Sequence, residues 1–213
     1  MSELKNCLFD FDMTLVDSIK PLVISANLIA NEFGLPEVDY DKVYRAEVSV
    51  PNCTFEALWQ NLWGFYDPAW FKAYVDRFTD AEYRAMDLFE GGRETIETLF
   101  LKGVTLGLAS NRDYPAKILK VLGIDNFFRA AVGQFDVKRV KPYPDMLLKA
   151  MELLGAEAQN TLYVCDSKGD LLAAAAAGVR AFAMSTGGHS KEEMSSLGAW
   201  RVGDRLAEVI DCF

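Results

Sequence analysis

The sequence predicts an α/β fold: a parallel sheet with crossover helices, interrupted once by an all-helical insertion. Two observations predict it. Short apolar runs bounded by polar residues or glycine alternate with helical periodicity along most of the 213 residues. Parallel strands and their connecting helices produce that pattern. Between about residues 17 and 88 the alternation stops, and apolar residues recur only at helical spacing.

Strands are expected near Lys5 to Phe9, Thr105 to Ala109, Ala130 to Val132, Thr161 to Cys165 and Arg180 to Met184. Helices are expected from about Arg93 to Leu101, Pro115 to Leu122, Pro144 to Leu154 and Asp170 to Ala177. Gly103, Gly123, Gly155 and Gly178 each follow an apolar-periodic stretch, where a left-handed cap favours glycine. The insertion opens with Ser18 as the expected N-cap and Pro21 in the first turn. Ile19, Leu22, Val23, Ala26, Ile29 and Phe33 then share one face before Gly34. After Pro51, Phe55, Leu58, Trp59, Leu62 and Trp63, then Trp70, Phe71, Tyr74, Val75 and Phe78, repeat the spacing and read as helix–helix packing. The expected division is a core of residues 1–16 and 89–213 around a helical unit of residues 17–88.

A composition that is 51% hydrophobic can bury a full core. The formal net charge of −9 opposes nucleic acid and anionic membrane surfaces, which repel such a chain at long range. It opposes phosphorylated ligands too, so any phosphate site needs local positive charge from a cation, Lys or Arg, or backbone N–H groups. Cys7, Cys53, Cys165 and Cys212 form no CxxC pair and read as reduced thiols. The opening MSELKNCLFDFD lacks a long apolar stretch, and no uncharged run reaches membrane-spanning length. The expectation is a cytoplasmic protein that is neither exported nor membrane-embedded, with its oligomeric state left open. His189 alone represents histidine, which disfavours His-rich zinc sites and paired-imidazole chemistry.

Strand one runs into Asp10-Phe11-Asp12-Met13-Thr14. In extended chain, residues two apart point the same way, so Asp10 and Asp12 can face one site while Phe9 and Phe11 turn inward. Ligands of open parallel sheets sit beyond the carboxyl ends of the strands. Two adjacent carboxylates there are costly unless a cation or a proton relieves them. The fourth strand leads into Asp166-Ser167-Lys168-Gly169-Asp170, which places Asp166 and Asp170 at the same mouth. Such an oxygen-rich set suits Mg²⁺. Strand two ends in Ser110-Asn111, offering a hydroxyl and N–H groups to a phosphoryl oxygen. Val140-Lys141-Pro142-Tyr143-Pro144-Asp145 sets a lysine at a helix head, where it can neutralise a phosphate and an attacking carboxylate together.

In that order the segments resemble the haloacid dehalogenase superfamily of hydrolases, in the branch that includes phosphoglycolate phosphatases and related small phosphatases and mutases. FDFDMTLVDS is similar to the first motif of that family, ASN to the second, VKPYPD to the third and CDSKGDLLAAAAAG to the fourth. The resemblance covers nearly the whole chain. It implies a doubly wound Rossmann-like core with an inserted all-helical cap that closes over the strand ends. It implies hydrolysis of a small phosphorylated metabolite, with Asp10 as nucleophile and Asp12 as the acid and base at the leaving oxygen. Mg²⁺ would be held by Asp10, the main-chain carbonyl of Asp12 and Asp166, with Asp170 as a nearby ligand or one that acts from the second ring of groups around the ion. Thr14, Ser110 and Asn111 would meet the substrate, and Lys141 would clamp phosphate and nucleophile.

Three departures stand out. Met13 replaces the glycine usual in the family, and Cys165 replaces a usual Gly or Glu. The stretch AEVSVPNCTF carries no basic residue after Arg45, which weakens a carboxylated substrate; Arg45, Lys42, Arg112 and Arg93 are candidates to supply that charge. A phosphomutase using the same aspartate pair, and a non-catalytic metabolite- or partner-binding protein on the same fold, are the alternative readings.

Overall fold

The computed structural model describes residues 3–49 and 55–213. Six parallel strands, β1 (Asn6–Phe9), β2 (Thr105–Ala109), β3 (Phe128–Val132), β4 (Thr161–Cys165), β5 (Arg180–Met184) and β6 (Arg201–Gly203), form one sheet in the order β3-β2-β1-β4-β5-β6. The strand order reverses direction at β1, which pairs with both β2 and β4. Phe9 stands level with Leu108 on one side and Val164 on the other. Such a switch point opens a crevice at the carboxyl ends of the strands. Every residue of β1 and β4 is buried, as central parallel strands require.

Contacts divide the chain into Met1–Val16 with Leu88–Phe213, and Asp17–Asp87. Leu88 joins the first unit because it bridges Val16 antiparallel. In the second unit lie α1 (Ile19–Phe33), α2 (Tyr40–Val48), α3 (Phe55–Trp63), α4 (Pro68–Ala73) and α5 (Thr79–Ala85), with a π-helical turn over Tyr74–Phe78. Ser18 does not cap α1 with its side chain; the Asp17 carboxylate accepts the Ile19 N–H instead. The aromatic residues pack on one another: Trp59 on Trp63 at 5.0 Å and Phe55 on Tyr74 at 4.9 Å between centroids. Not every residue of the stretch is packed inward: Trp70 is buried, while Phe71 and Val75 are exposed.

The first unit carries α6 (Gly92–Leu101), α7 (Pro115–Val121), α8 (Asp145–Leu154), α9 (Lys168–Ala177) and α10 (Lys191–Ser196). Gly34, Gly103, Gly123, Gly155 and Gly178 all take left-handed φ where a helix stops. Asp166 therefore enters α9 through a well-defined start: Ser167 is the N-cap and exchanges hydrogen bonds with Asp170. Strand β6 escapes sequence reading because it is three residues long and half exposed. Pairing with β5 holds it, together with Gly203, where a Cβ would lie 2.5 Å from the Phe182 ring. No described helix is long and apolar enough to cross a membrane.

Candidate active site

Asp10 follows β1, and its N–H is fixed by the Val164 carbonyl at 2.8 Å. That bond sets its side chain at the crevice between β1 and β4. Lys141, from the loop before α8, reaches it with Nζ 2.5 Å from Oδ1. The same ammonium lies 2.7 Å from Asp170 Oδ1 and 3.2 Å from the Tyr163 hydroxyl, so its three protons have three partners. Asp10, Lys141, Asp166 and Asp170 are all buried. Burial opposes charge on Lys141, but Asp10 and Asp170 outweigh it and hold its pKa above the ordinary lysine value.

One lysine does not balance three acids. Burial, then the Asp170 charge, push the Asp10 carboxyl up to about 7 despite the opposing pull of Lys141. Burial, followed by Asp10 and Asp170, also raises Asp166. Asp170 goes the other way: burial disfavours its charge, yet Lys141 and its hydrogen bonds hold its pKa down. Its oxygens are occupied by Lys141 Nζ, Tyr163 OH at 2.6 Å, Ser167 N at 3.3 Å and Ser167 Oγ. Asp10, Asp166 and Asp170 bring one oxygen each within 4.8 Å of one another. Lys141 is shared between Asp10 and Asp170, so the three acids together carry more negative charge than the lysine offsets, the condition that suits a hard cation.

Thr14, expected at the substrate, is fully buried and donates to Asp166 Oδ1 at 2.9 Å; it orients that carboxylate. Ser110 is buried at the end of β2 and accepts the Arg112 N–H at 3.2 Å. Asn111 is exposed at the turn; its main-chain N–H, like those of Phe11 and Asp12, has no hydrogen bond among the described residues. Asp12 lies at the rim, gripped by Arg112 through Nε at 2.9 Å and Nη2 at 2.6 Å. Arg45 belongs to the second unit, where it lines an open hollow with Asp39, Asp41, Lys42 and Asn61.

Tyr163, Thr186 and Gly187 left no sequence signal. Tyr163 sits in an apolar run, yet its hydroxyl joins Lys141 to Asp170. Met13 takes φ 54°, a left-handed conformation that costs a non-glycine residue ~1–2 kcal/mol. The turn survives because the Met13 N–H bonds the Val16 carbonyl and Thr186 Oγ1 donates to the Met13 carbonyl. Gly187 leaves room for Asp166: a Cβ there would lie 2.2 Å from Asp166 Oδ2. Cys165 is buried among Leu8, Ala109 and Ala183, and burial above all pushes its thiol pKa up, so it packs as an apolar residue.

The family model described as haloacid dehalogenase-like hydrolase matches residues 7–184, from the second residue of β1 to the last of β5. The chain belongs to the haloacid dehalogenase-like hydrolases. Among curated relatives, a phosphoglycolate phosphatase of Pseudomonas syringae pv. tomato is 33% identical over 86% of this chain and 70% of its own length. The pyrophosphatase PpaX of Halalkalibacterium halodurans is 32% identical over 84% of this chain and 82% of its own. Among solved structures, a family hydrolase from Deinococcus radiodurans R1, with bound phosphate and sodium, has a TM-score of 0.79 at 24% identity, covering 98% of this chain and 94% of that one. At that identity the likeness speaks for the α/β fold. This haloacid dehalogenase-like hydrolase is of the phosphoglycolate phosphatase-like kind.

Proposed function

We propose that this hydrolase is a phosphatase that cleaves a small phosphate monoester through an aspartyl-phosphate on Asp10, with Mg²⁺ as cofactor. The observation that carries the reading is the buried pairing of Asp10 with Lys141 beside Asp166 at the β1–β4 crevice. The names of the relatives, phosphoglycolate phosphatase and pyrophosphatase, support the same class. An Asp10 oxygen attacks phosphorus, the bond from phosphorus to the ester oxygen breaks, and Asp12 gives its proton to the departing oxygen. Asp12, now a carboxylate, takes a proton from water as that water attacks the same phosphorus. The phosphorus–Asp10 bond breaks, and phosphate and the Asp10 carboxylate are released. Lys141 holds the nucleophile and offers its charge to the phosphoryl oxygens, as do the Ser110 hydroxyl and the Asn111 N–H.

Asp10, the main-chain carbonyl of Asp12 and Asp166 are the ligands assigned to Mg²⁺, which when bound neutralises charge on the phosphoryl oxygens. Asp170, its oxygens already taken, holds Lys141 behind them. Purified protein with Mg²⁺ should release inorganic phosphate from p-nitrophenyl phosphate and from members of a phosphate-ester panel. A chelator should silence it reversibly. Absence of turnover across the panel would sink the reading, and a requirement for a bisphosphate activator would point to a mutase.

Gly187→Ala tests the support of Asp166. The added methyl group must displace the carboxylate or the Ser185–Gly187 turn. Mg²⁺ affinity measured by calorimetry is expected to fall ~10- to 100-fold, the range for disturbing the groups that orient a ligand. Unchanged affinity would remove Asp166 from the ligand set.

A further inference from the structure

We infer that Tyr163 is a positioning residue for Lys141: its hydroxyl accepts one N–H of the ammonium until a phosphoryl oxygen of the substrate takes that contact over. The inference rests on the reading of Lys141 as the group that meets the phosphoryl oxygens. It assigns a role to a buried hydroxyl that the proposed chemical steps leave unused.

Tyr163 lies in β4, level with Leu8 of β1 and Ala181 of β5, and is fully buried. It belongs to the buried cluster that includes Leu8, Met146 and Leu147 of α8, and Leu171 of α9. A phenylalanine ring would fill that volume too, so packing alone does not require the oxygen. The oxygen sits where three parts of the site converge. Lys141, from the loop before α8, lies 3.2 Å from it, and Asp170, in the first turn of α9, 2.6 Å. The carbonyl of Ala109, the last residue of β2 before Ser110, is 3.5 Å away. A phenol has one proton, and the short contact gives it to Asp170, which leaves the oxygen's lone pair to accept from Lys141.

The three protons of Lys141 are engaged by Asp10, Asp170 and Tyr163, so a phosphoryl oxygen gains one only when a partner gives it up. Asp10 and Asp170 are buried acids at 2.5 and 2.7 Å from Nζ. Bonds with charge on both partners outlast a bond with charge on one. Tyr163 is neutral, and its contact is the longest of the three. Its own proton stays on Asp170 after the exchange, so no buried donor is left without an acceptor. A phosphoryl oxygen carries negative charge and replaces the weakest acceptor with a stronger one. Both carboxylates keep their contacts, which holds the ammonium on Asp10 while it takes hold of the phosphoryl group. Without the hydroxyl, the resting ammonium would bury a proton that has no acceptor, a cost relieved only when the ligand arrives.

Tyr163→Phe keeps the ring and removes the oxygen. The free protein then loses a bond that the bound protein has already given up. Inorganic phosphate titrated by calorimetry into the Mg²⁺-saturated variant should therefore bind ~10-fold more tightly than to wild type, the lower end for a hydrogen bond to a charged group. With p-nitrophenyl phosphate, KM should fall in parallel while kcat does not rise, because ground state and transition state share the gain. Ser167→Ala is the control: it takes a donor from Asp170 and no acceptor from Lys141, and it should not tighten phosphate. Unchanged or weaker phosphate binding in Tyr163→Phe, including no binding to either protein, overturns the inference. So does an equal tightening in Ser167→Ala, which would trace the effect to Asp170. If the wild type binds phosphate yet hydrolyses no ester, the proposed reaction fails, and the binding comparison still decides this point.

Discussion

Asp10→Asn is expected to lower kcat by ~10⁴-fold or more, because an amide neither attacks phosphorus nor leaves as a carboxylate. Initial rates of phosphate release would measure this. The same change should not destabilise the metal-free protein. The Asp10 carboxyl is held up at about 7, against an ordinary value of 3.8, by burial and then by Asp170. The folded chain therefore binds that proton more tightly than the unfolded chain does. The resulting stabilisation is complete below the unfolded pKa and is lost as pH rises through about 7. Thermal melts with chelator should show wild-type Tm falling between pH 5 and pH 8, and Asp10→Asn falling less. Turnover that persists in the variant would contradict the assignment of the nucleophile.

Lys141→Met should affect stability and activity together. The lysine is buried and bridges Asp10 and Asp170, so its loss leaves buried carboxylates without a counter-charge. Removing one partner of such a pair costs ~3–5 kcal/mol, which urea unfolding at pH 8 with chelator would detect. A divalent cation should restore part of the loss, because it supplies the missing positive charge at Asp10 and Asp166. Activity should fall ~10²- to 10³-fold even when Mg²⁺ saturates, as for other removed charge donors at a reacting centre. Wild-type stability in the Lys141→Met protein without metal would show that the three acids do not share one low-dielectric pocket.

The elements were legible where periodicity is long and a stop signal is chemical. Strands β2, β4 and β5 fall where their apolar runs end, and the left-handed glycines mark the ends of the helices before them. β6 was not legible, since three half-exposed residues carry no period and depend on β5 for partners. The helical spacing of the insertion did not tell that Phe71 and Val75 are exposed, and the π turn over Tyr74–Phe78 has no signature in spacing. At the candidate site, the acids and Lys141 announced themselves as charges beside apolar strands. Tyr163, Thr186 and Gly187 did not: a hydroxyl within a strand and a glycine within a loop acquire meaning only from neighbours far away in sequence.

By itself the sequence determined the alternating architecture, the family, and which charged residues stand at strand ends, because these depend on local periodicity and on residue type. Only the tertiary structure decided how the charges are shared. Thr14 supports Asp166, Asp170 is consumed by Lys141 and Tyr163, and Arg112 grips Asp12 across a separation of 100 residues. Electrostatic pairing falls off with distance in space and takes no account of distance along the chain, so it is settled only when the strands lie side by side.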